Sequence, residues 1–433
     1  MDIDKILDLN TSSPDKIIAR LKEKTIRITP WATLNKEYDP MQHPVMNKTL
    51  YPDIVEKDGS IQKVTRVTYD LQRLAAKRLT ELCFGVPVKR VYNIDENDAE
   101  SKEIAKTLEA IYRNNRIDSV NITRGGYLFS SCEAMTLWYA QEEDNRYYGI
   151  DSKLKLRCVS FSPMKGDELY PFFDEYGDLK ALSVQYIRKE GDREVTYFDV
   201  YTAKRHVKFR NGDDWGVVED DEIVIEKIPA IYMYRDTPAW EQTSELVYEM
   251  EWAMSRNGNY LRENSRPLFV VYADEEIPFG NEPNANNTGK SILKYPAGSN
   301  AGYVTWNQAV DSLKFHITEL RQMLFTQLQL PDWSFENMKS VPMSGESMKQ
   351  MLIDAILKTR DESGRLIEFL DREMNVVKAF LKQIRPEWKE KIDALSVDMV
   401  ITPCTVTQSE NDTEERSGSM QGQNSAQNRP TNS

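Results

Sequence analysis

The stretch that most resembles a nucleotide site is Gly289, Lys290 and Ser291, the closing triplet of a phosphate-binding loop. In such a loop, backbone N–H groups cradle phosphate and the lysine meets its charge. The pattern also requires a glycine where Asn284 stands, and no strand-to-helix context follows, so a solvated hairpin loop is the expectation. Metal chemistry has no better footing. The three histidines, His43, His206 and His316, are far apart and form no zinc-type spacing. The four cysteines, Cys83, Cys132, Cys158 and Cys404, include no CxxC and no paired framework, which suits a reducing compartment or a particle assembled inside the cell. Each reads as a small buried residue rather than a nucleophile. No nucleophile and base pair stands out among the abundant acids. We therefore assign no catalytic, cofactor-binding or metal residue, and no enzyme activity, from sequence.

Composition narrows the class further. The chain has 433 residues, is 40% hydrophobic and carries a net charge of −13. That length allows a sizeable core and two to four domains, and the charge excludes a basic nucleic-acid binder. The opening MDIDKILDLN lacks a basic region followed by an apolar run, so no signal peptide is expected. No apolar run approaches the ~20 residues needed to cross a bilayer.

The elements that would position any site change period along the chain. Residues 1 to about 60 hold a short amphipathic helix around Ile17, Ile18 and Leu21, then a Pro-spotted stretch suited to wrapping a surface. The spacing of Val64, Val67, Leu71, Leu74 and Leu79 predicts a helix from about Val64 to Leu82, ended by Gly85 and Pro87. A second helix is predicted over Ser101–Asn114. A third runs from about Asp118 through RGGYLFSSCEAMTLWYA, where Gly125 and Gly126 either permit close packing or separate two helices. From Lys153 the period becomes two, predicting antiparallel strands with a hairpin turn at Asp174–Gly177. Helices followed by meandering strands indicate an α+β fold. The helical period returns at Thr237, and a small insert from Arg266 to Trp306 holds strand candidates PLFVVYA, SILKYP and YVTW. PEWKEKIDALSVDMVITPC offers one more short strand, and the polar tail 408–433 is expected to be disordered.

The chain is organised around 311–383. Leu313, Ile317, Leu320, Leu324 and Leu328 lie on one helical stripe that Pro331 ends. After a loop rich in Trp333, Phe335, Met338 and Met343, a long helix is predicted from Ser344 to Gln383, with a weaker seam at Thr359 and Ser363 beside Gly364. Its apolar repeat fits either a coiled coil or packing inside a ring.

Four stretches in order, LCFGVPVKRVY, YPFFDEYGDLKALSVQYI, IPAIYMYRDTPAWEQTSELVYEME and LPDWSFENMKSVPMSGESMKQM, resemble those of tailed-bacteriophage portal proteins, the head-to-tail connectors, of the siphophage type. The likeness covers about Val64 to Thr407. It implies a portal-like α+β fold with residues 1–236 as the wing, 237–263 and 307–330 as stem helices and 264–306 as a short clip. Residues 331–343 would be the tunnel loop, 344–383 the long wing and core helix, and 384–407 a reduced crown with a returning strand.

The resemblance also implies a function. The chain would form a homo-oligomeric ring, typically a dodecamer, at one capsid vertex of the virion, after assembly in the host cytoplasm. Double-stranded DNA would pass through it without sequence specificity during packaging and ejection. Its partners would be the large terminase ATPase, a head-completion or adaptor protein, and the major capsid and scaffolding proteins, with no membrane and no cofactor. On this mapping Asn337, Met338, Lys339 and Ser340 line the DNA channel, and Asn281, Asn284, Asn286, Asn287 and Lys290 face a protein partner. Two other classes compete: a non-viral coiled-coil scaffold, supported by the long helix, and a DNA-acting motor subunit, which would need a nucleotide or metal site.

Overall fold

A computed structural model of the chain describes residues 3–9, 12–23, 26–55, 57–95, 97–212, 214–263, 268–272, 300–304, 310–332 and 352–404. The chain divides into two compact units, the first drawn from Met1–Pro40, Asp70–Ser244 and Leu324–Ser433, the second from Met41–Tyr69 and Glu245–Met323.

The first unit is α+β. Its helices are α1 (Ile3–Ile6), α2 (Pro14–Leu21), α3 (Trp31–Tyr38), α4 (Leu71–Phe84), α5 (Ala99–Asn114) and α6 (Ile117–Ser131), followed late in the chain by α9 (Ile353–Ile384) and α10 (Lys389–Ala394). A three-stranded sheet joins β11 (Ala230–Tyr234), β4 (Glu133–Asn145) and β5 (Ser152–Phe161) in that order. A five-stranded sheet has the order β10 (Trp215–Glu222), β9 (Arg205–Asn211), β8 (Arg193–Thr202), β7 (Leu179–Glu190) and β6 (Glu168–Phe173). A third ladder pairs β3 (Lys89–Asn93) with β14 (Ser396–Val400). Every described strand pairing is antiparallel, as the alternation predicts.

Strand β8 explains the layering. Successive side chains point to opposite faces of a strand. Phe198 and Val200 meet Ile6, Ile17, Ile18 and Leu21 of the N-terminal helices on one face. Tyr197 and Tyr201 meet Met135, Leu137 and Tyr232 of the three-stranded sheet on the other. The five-stranded sheet is therefore covered on both sides. The β6–β7 turn lies at Asp174–Gly177, where Gly177 takes φ 86° and the Asp174 carboxylate accepts from the Tyr176 amide.

Three predicted helix boundaries move. The helix expected from Thr237 begins only at Ser244, after turns over 237–243. The helix expected from Val64 begins at Leu71, because the amides of Thr65, Val67 and Tyr69 go instead to side chains of another helix, described below. The third helix ends at Ser131, where Cys132 turns left-handed at φ 63°, and CEAMTLWYA continues as β4 rather than helix. The Gly125–Gly126 pair does not break α6. A Cβ on Gly125 would sit 2.7 Å from Cδ2 of Phe84, so this glycine permits the close approach of α4 and α6.

Helix α9 runs without interruption for 32 residues, about 48 Å at 1.5 Å per residue. It packs on α4, β11 and β14, and Leu366, Leu370, Glu373, Val377 and Leu381 of its C-terminal half are buried. This apolar face is used within the chain and not on a coiled-coil seam. Residues 344–351, where the helix was expected to begin, lie outside the described residues. So do SILKYP and the tail 408–433.

The second unit holds the short pair β1 (Ile54–Val55) and β2 (Ile61–Gln62), then α7 (Ser244–Glu263), then the paired strands β12 (Leu268–Tyr272) and β13 (Asn300–Val304), then α8 (Val310–Leu328). The first residue of α7 and the last turn of α8 belong to the first unit. Among the described residues, no helix is long and apolar enough to cross a membrane.

Candidate assembly elements

Helix α7 is held by a strap of chain that precedes it by about two hundred residues. Glu251 Oε1 accepts from the Tyr69 amide at 2.8 Å, Ser255 Oγ from the Val67 amide at 2.8 Å and Asn259 Oδ1 from the Thr65 amide at 2.6 Å. Arg262 then donates to the Lys63 carbonyl at 2.5 Å. The spacing has a geometric cause. Four helical residues rise about 6 Å, close to the roughly 6.7 Å spanned by two residues of extended chain. One helix turn therefore reads every second residue of the strap, and its amides find partners without forming a ladder. Gly258 lets the strap come this close, since a Cβ there would fall 2.7 Å from Cγ2 of Thr65.

The strap also closes at its start. His43 Nδ1 and Glu251 Oε1 are 2.7 Å apart, with both side chains fully buried, and the His43 ring lies edge-on to Tyr248. Arg66 pairs with Asp53 at 2.8 Å and donates to the Tyr51 carbonyl, and Asn259 bonds the Tyr51 hydroxyl. The Asp53 carboxyl is held below its ordinary range, first by the Arg66 hydrogen bond.

In the first unit, the corresponding anchor is Glu373 of α9. Its carboxylate takes two hydrogen bonds from Arg124 of α6, at 2.6 and 2.8 Å, and one from the Trp138 indole of β4 at 2.9 Å. Arg124 also donates to Asn121 Oδ1 at 2.6 Å. Tyr112 stacks edge-on against Trp138, and burial raises its hydroxyl well above the usual tyrosine range. A nearer-surface pair, Arg235 with Glu362 at 2.8 Å, ties a second point of α9. At the far end, Asp98 caps α5 and meets Lys391 of α10 at 2.8 Å. These carboxylates are engaged in holding helices and sheets together. Cys83, Cys132 and Cys158 are free thiols, each pushed up to about 12 chiefly by burial, which suits small packing residues rather than nucleophiles.

The expected channel residues Asn337, Met338, Lys339 and Ser340 lie outside the described residues, as do Asn281, Asn284, Asn286, Asn287 and Lys290. What the structure does describe are the bases of both segments: α7, the β12–β13 pair and α8 around the second, and the end of α8 before the first. Sequence reading missed the strap and the buried pair. One clue for the pair was present, since Glu373 interrupts an otherwise apolar series at Leu366, Leu370 and Val377.

The family described as "Phage portal protein, SPP1 Gp6-like" matches residues 15–427. No curated protein sequence matches the chain. Solved structures similar to it include one titled "Neck of empty GTA particle computed with C6 symmetry", with 10% identity, a TM-score of 0.42, and 83% of this chain and 87% of that chain covered. Another, titled "Virion of native gene transfer agent (GTA) particle", has 9% identity, a TM-score of 0.41 and 97% of both chains covered.

Proposed function

The chain belongs to the phage portal protein family, SPP1 Gp6-like, and from that premise we propose that it forms a ring, of about twelve copies, at a single capsid vertex. The family is structural and not enzymatic, and its members are virion components. In this reading DNA passes through the ring during packaging and ejection, the terminase ATPase docks on it first, and head-completion or adaptor proteins dock later.

The observation that carries the reading is the extent of the family match, 15–427, which takes in every described element from α3 to β14 and so reaches into both compact units. The order helix, paired strands, helix in α7, β12–β13 and α8 supports assigning stem, clip and stem to this stretch. In this reading residues 331–343 are the tunnel loop, and Lys339 is the cation that would touch passing phosphates. The chain's net charge of −13 favours a wall along which DNA slides, because like charge keeps phosphates from sticking. A ring needs interfaces in which one patch meets a different patch on the neighbour, and long rigid helices suit that requirement.

Native mass spectrometry with negative-stain class averages tests the ring. Closed rings of about twelve subunits with a central hole are expected, and a discrete dimer would overturn the proposal. Two variants test its parts. Lys339→Ala should leave rings intact and change the yield of packaged DNA; an unchanged yield removes Lys339 from the mechanism. Replacing 281–290 with a Gly/Ser linker should leave rings intact and abolish terminase or adaptor binding; retained binding removes this loop from the docking surface.

A further inference from the structure

On its face toward the three-stranded sheet, the five-stranded sheet carries a cluster that spacing along the chain hides. In the ladder, His206 stands opposite Tyr201 on one side and Asp221 on the other. One step along, Lys208 stands between Asp199 and Glu219. Residues two apart on a strand share a face, so all six project to the same side. A ring nitrogen of His206 and one carboxylate oxygen each from Glu219 and Asp221 lie within 4.8 Å of one another.

Asp199 supplies an independent observation. Its side chain is 7% exposed, and it lines the same open cleft, about 890 Å³, as His206 and Asp221. Oδ2 accepts from the Tyr186 and Tyr201 hydroxyls at 3.0 and 3.3 Å, whereas the buried Oδ1 has no hydrogen-bond partner. Nε2 of His206, 4.0 Å from Asp199 Oδ2, is likewise buried without a hydrogen-bond partner. A buried carboxylate with an open lone pair is unfavourable until a donor or a cation meets it. Lys208 brings one positive charge to the row, but its ammonium is directed to Glu219 Oε1 at 2.9 Å.

We propose that His206, Glu219 and Asp221 bind one divalent ion of the zinc type, with Asp199 as the buried carboxylate behind them. A mixed imidazole and carboxylate set suits Zn²⁺ better than Mg²⁺ or Ca²⁺, which take oxygen alone. Metal–ligand bonds of about 2.1 Å require the donors to close to roughly 3–4 Å of one another. Rotation of the Glu219 and Asp221 side chains supplies that movement. The ion would clamp β9 to β10 and give the buried edge of β8 its missing positive charge. Sequence spacing concealed this group because the hairpin's register, and not a short motif, brings its members together. The inference does not depend on the portal reading.

The test is titration of Zn²⁺ into the full chain, stripped of metal with EDTA, followed by calorimetry, with Co²⁺ spectra recorded in parallel. One ion per chain is expected, with a Co²⁺ spectrum lacking a thiolate charge-transfer band. His206→Gln and Asp221→Asn should each weaken binding about 100-fold or more, and Asp199→Asn about 10–100-fold. Lys208→Gln, which removes the competing cation, should tighten it severalfold. Asp221 is exposed, so Asp221→Asn leaves the fold intact, with circular dichroism as the check. Absence of Zn²⁺ binding, binding unchanged in both ligand variants, or a strong thiolate band would each overturn the proposal.

Discussion

Arg124 and Glu373 meet in a two-point ion pair at 2.6 and 2.8 Å, with only 2% of either side chain exposed. The two residues are 249 positions apart, and the pair fixes where α9 lies against α6 and β4. Removing one partner of such a pair leaves the other charged and buried. Glu373→Leu is therefore expected to destabilise the first unit by about 3–5 kcal/mol, read as a lowered urea midpoint. The double variant Arg124→Met with Glu373→Leu should recover most of that loss. A double variant no better than Glu373→Leu would show that the pair is not the source.

The strap yields a local prediction. Glu251→Ala removes the acceptor of both the Tyr69 amide and His43. The expected cost is about 1–3 kcal/mol. Hydrogen exchange should quicken at the amides of Thr65, Val67 and Tyr69 and stay unchanged in β7 and β8. Uniformly faster exchange in both sets would contradict a local clasp.

Adjacent glycines of α6 should respond in opposite directions. Gly125→Ala drives a methyl into Phe84 and should lower stability by about 1–3 kcal/mol. At Gly126 a Cβ meets nothing within 4 Å, so Gly126→Ala should raise stability by about 0.5–1 kcal/mol through reduced backbone freedom. Chemical denaturation of the two variants side by side decides it.

The thiols set an alkaline limit. Cys83, Cys132 and Cys158 are pushed up to about 12 in the folded chain, against about 8.5 when unfolded. Above pH 8.5 the unfolded state gives up these protons first, so it binds fewer than the native state and stability falls as pH rises. Each thiol contributes up to about 1.4 kcal/mol per pH unit. Below about pH 7 they contribute almost no slope. Iodoacetamide at pH 8 should modify these three only slowly until denaturant is added, and rapid labelling of the native protein would refute the assignment.

Local pattern made much of the first unit legible. The alternation in β7 and β8, the Asp174–Gly177 turn and the Asn114 end of α5 all follow from residues close in sequence. The misplaced start of α4 has a clear cause. Val64, Val67 and Leu71 have helical spacing, but the partners that claim the intervening amides are some 190 residues away. The same holds for Glu373, whose meaning depends on Arg124. The candidate channel and clip residues were reached only through family resemblance, and they lie outside the described residues.

The strap has a consequence for synthesis. Residues 63–69 leave the ribosome long before Glu251, Ser255 and Asn259 exist, so their amides stay hydrated while nearly two hundred further residues are translated. The second unit cannot close until α7 has emerged. The strands of the first unit, made in between, have a head start. A ribosome stalled before residue 251 should therefore display a protease-sensitive segment around 63–69, because the acceptors on Glu251, Ser255 and Asn259 have not yet been made.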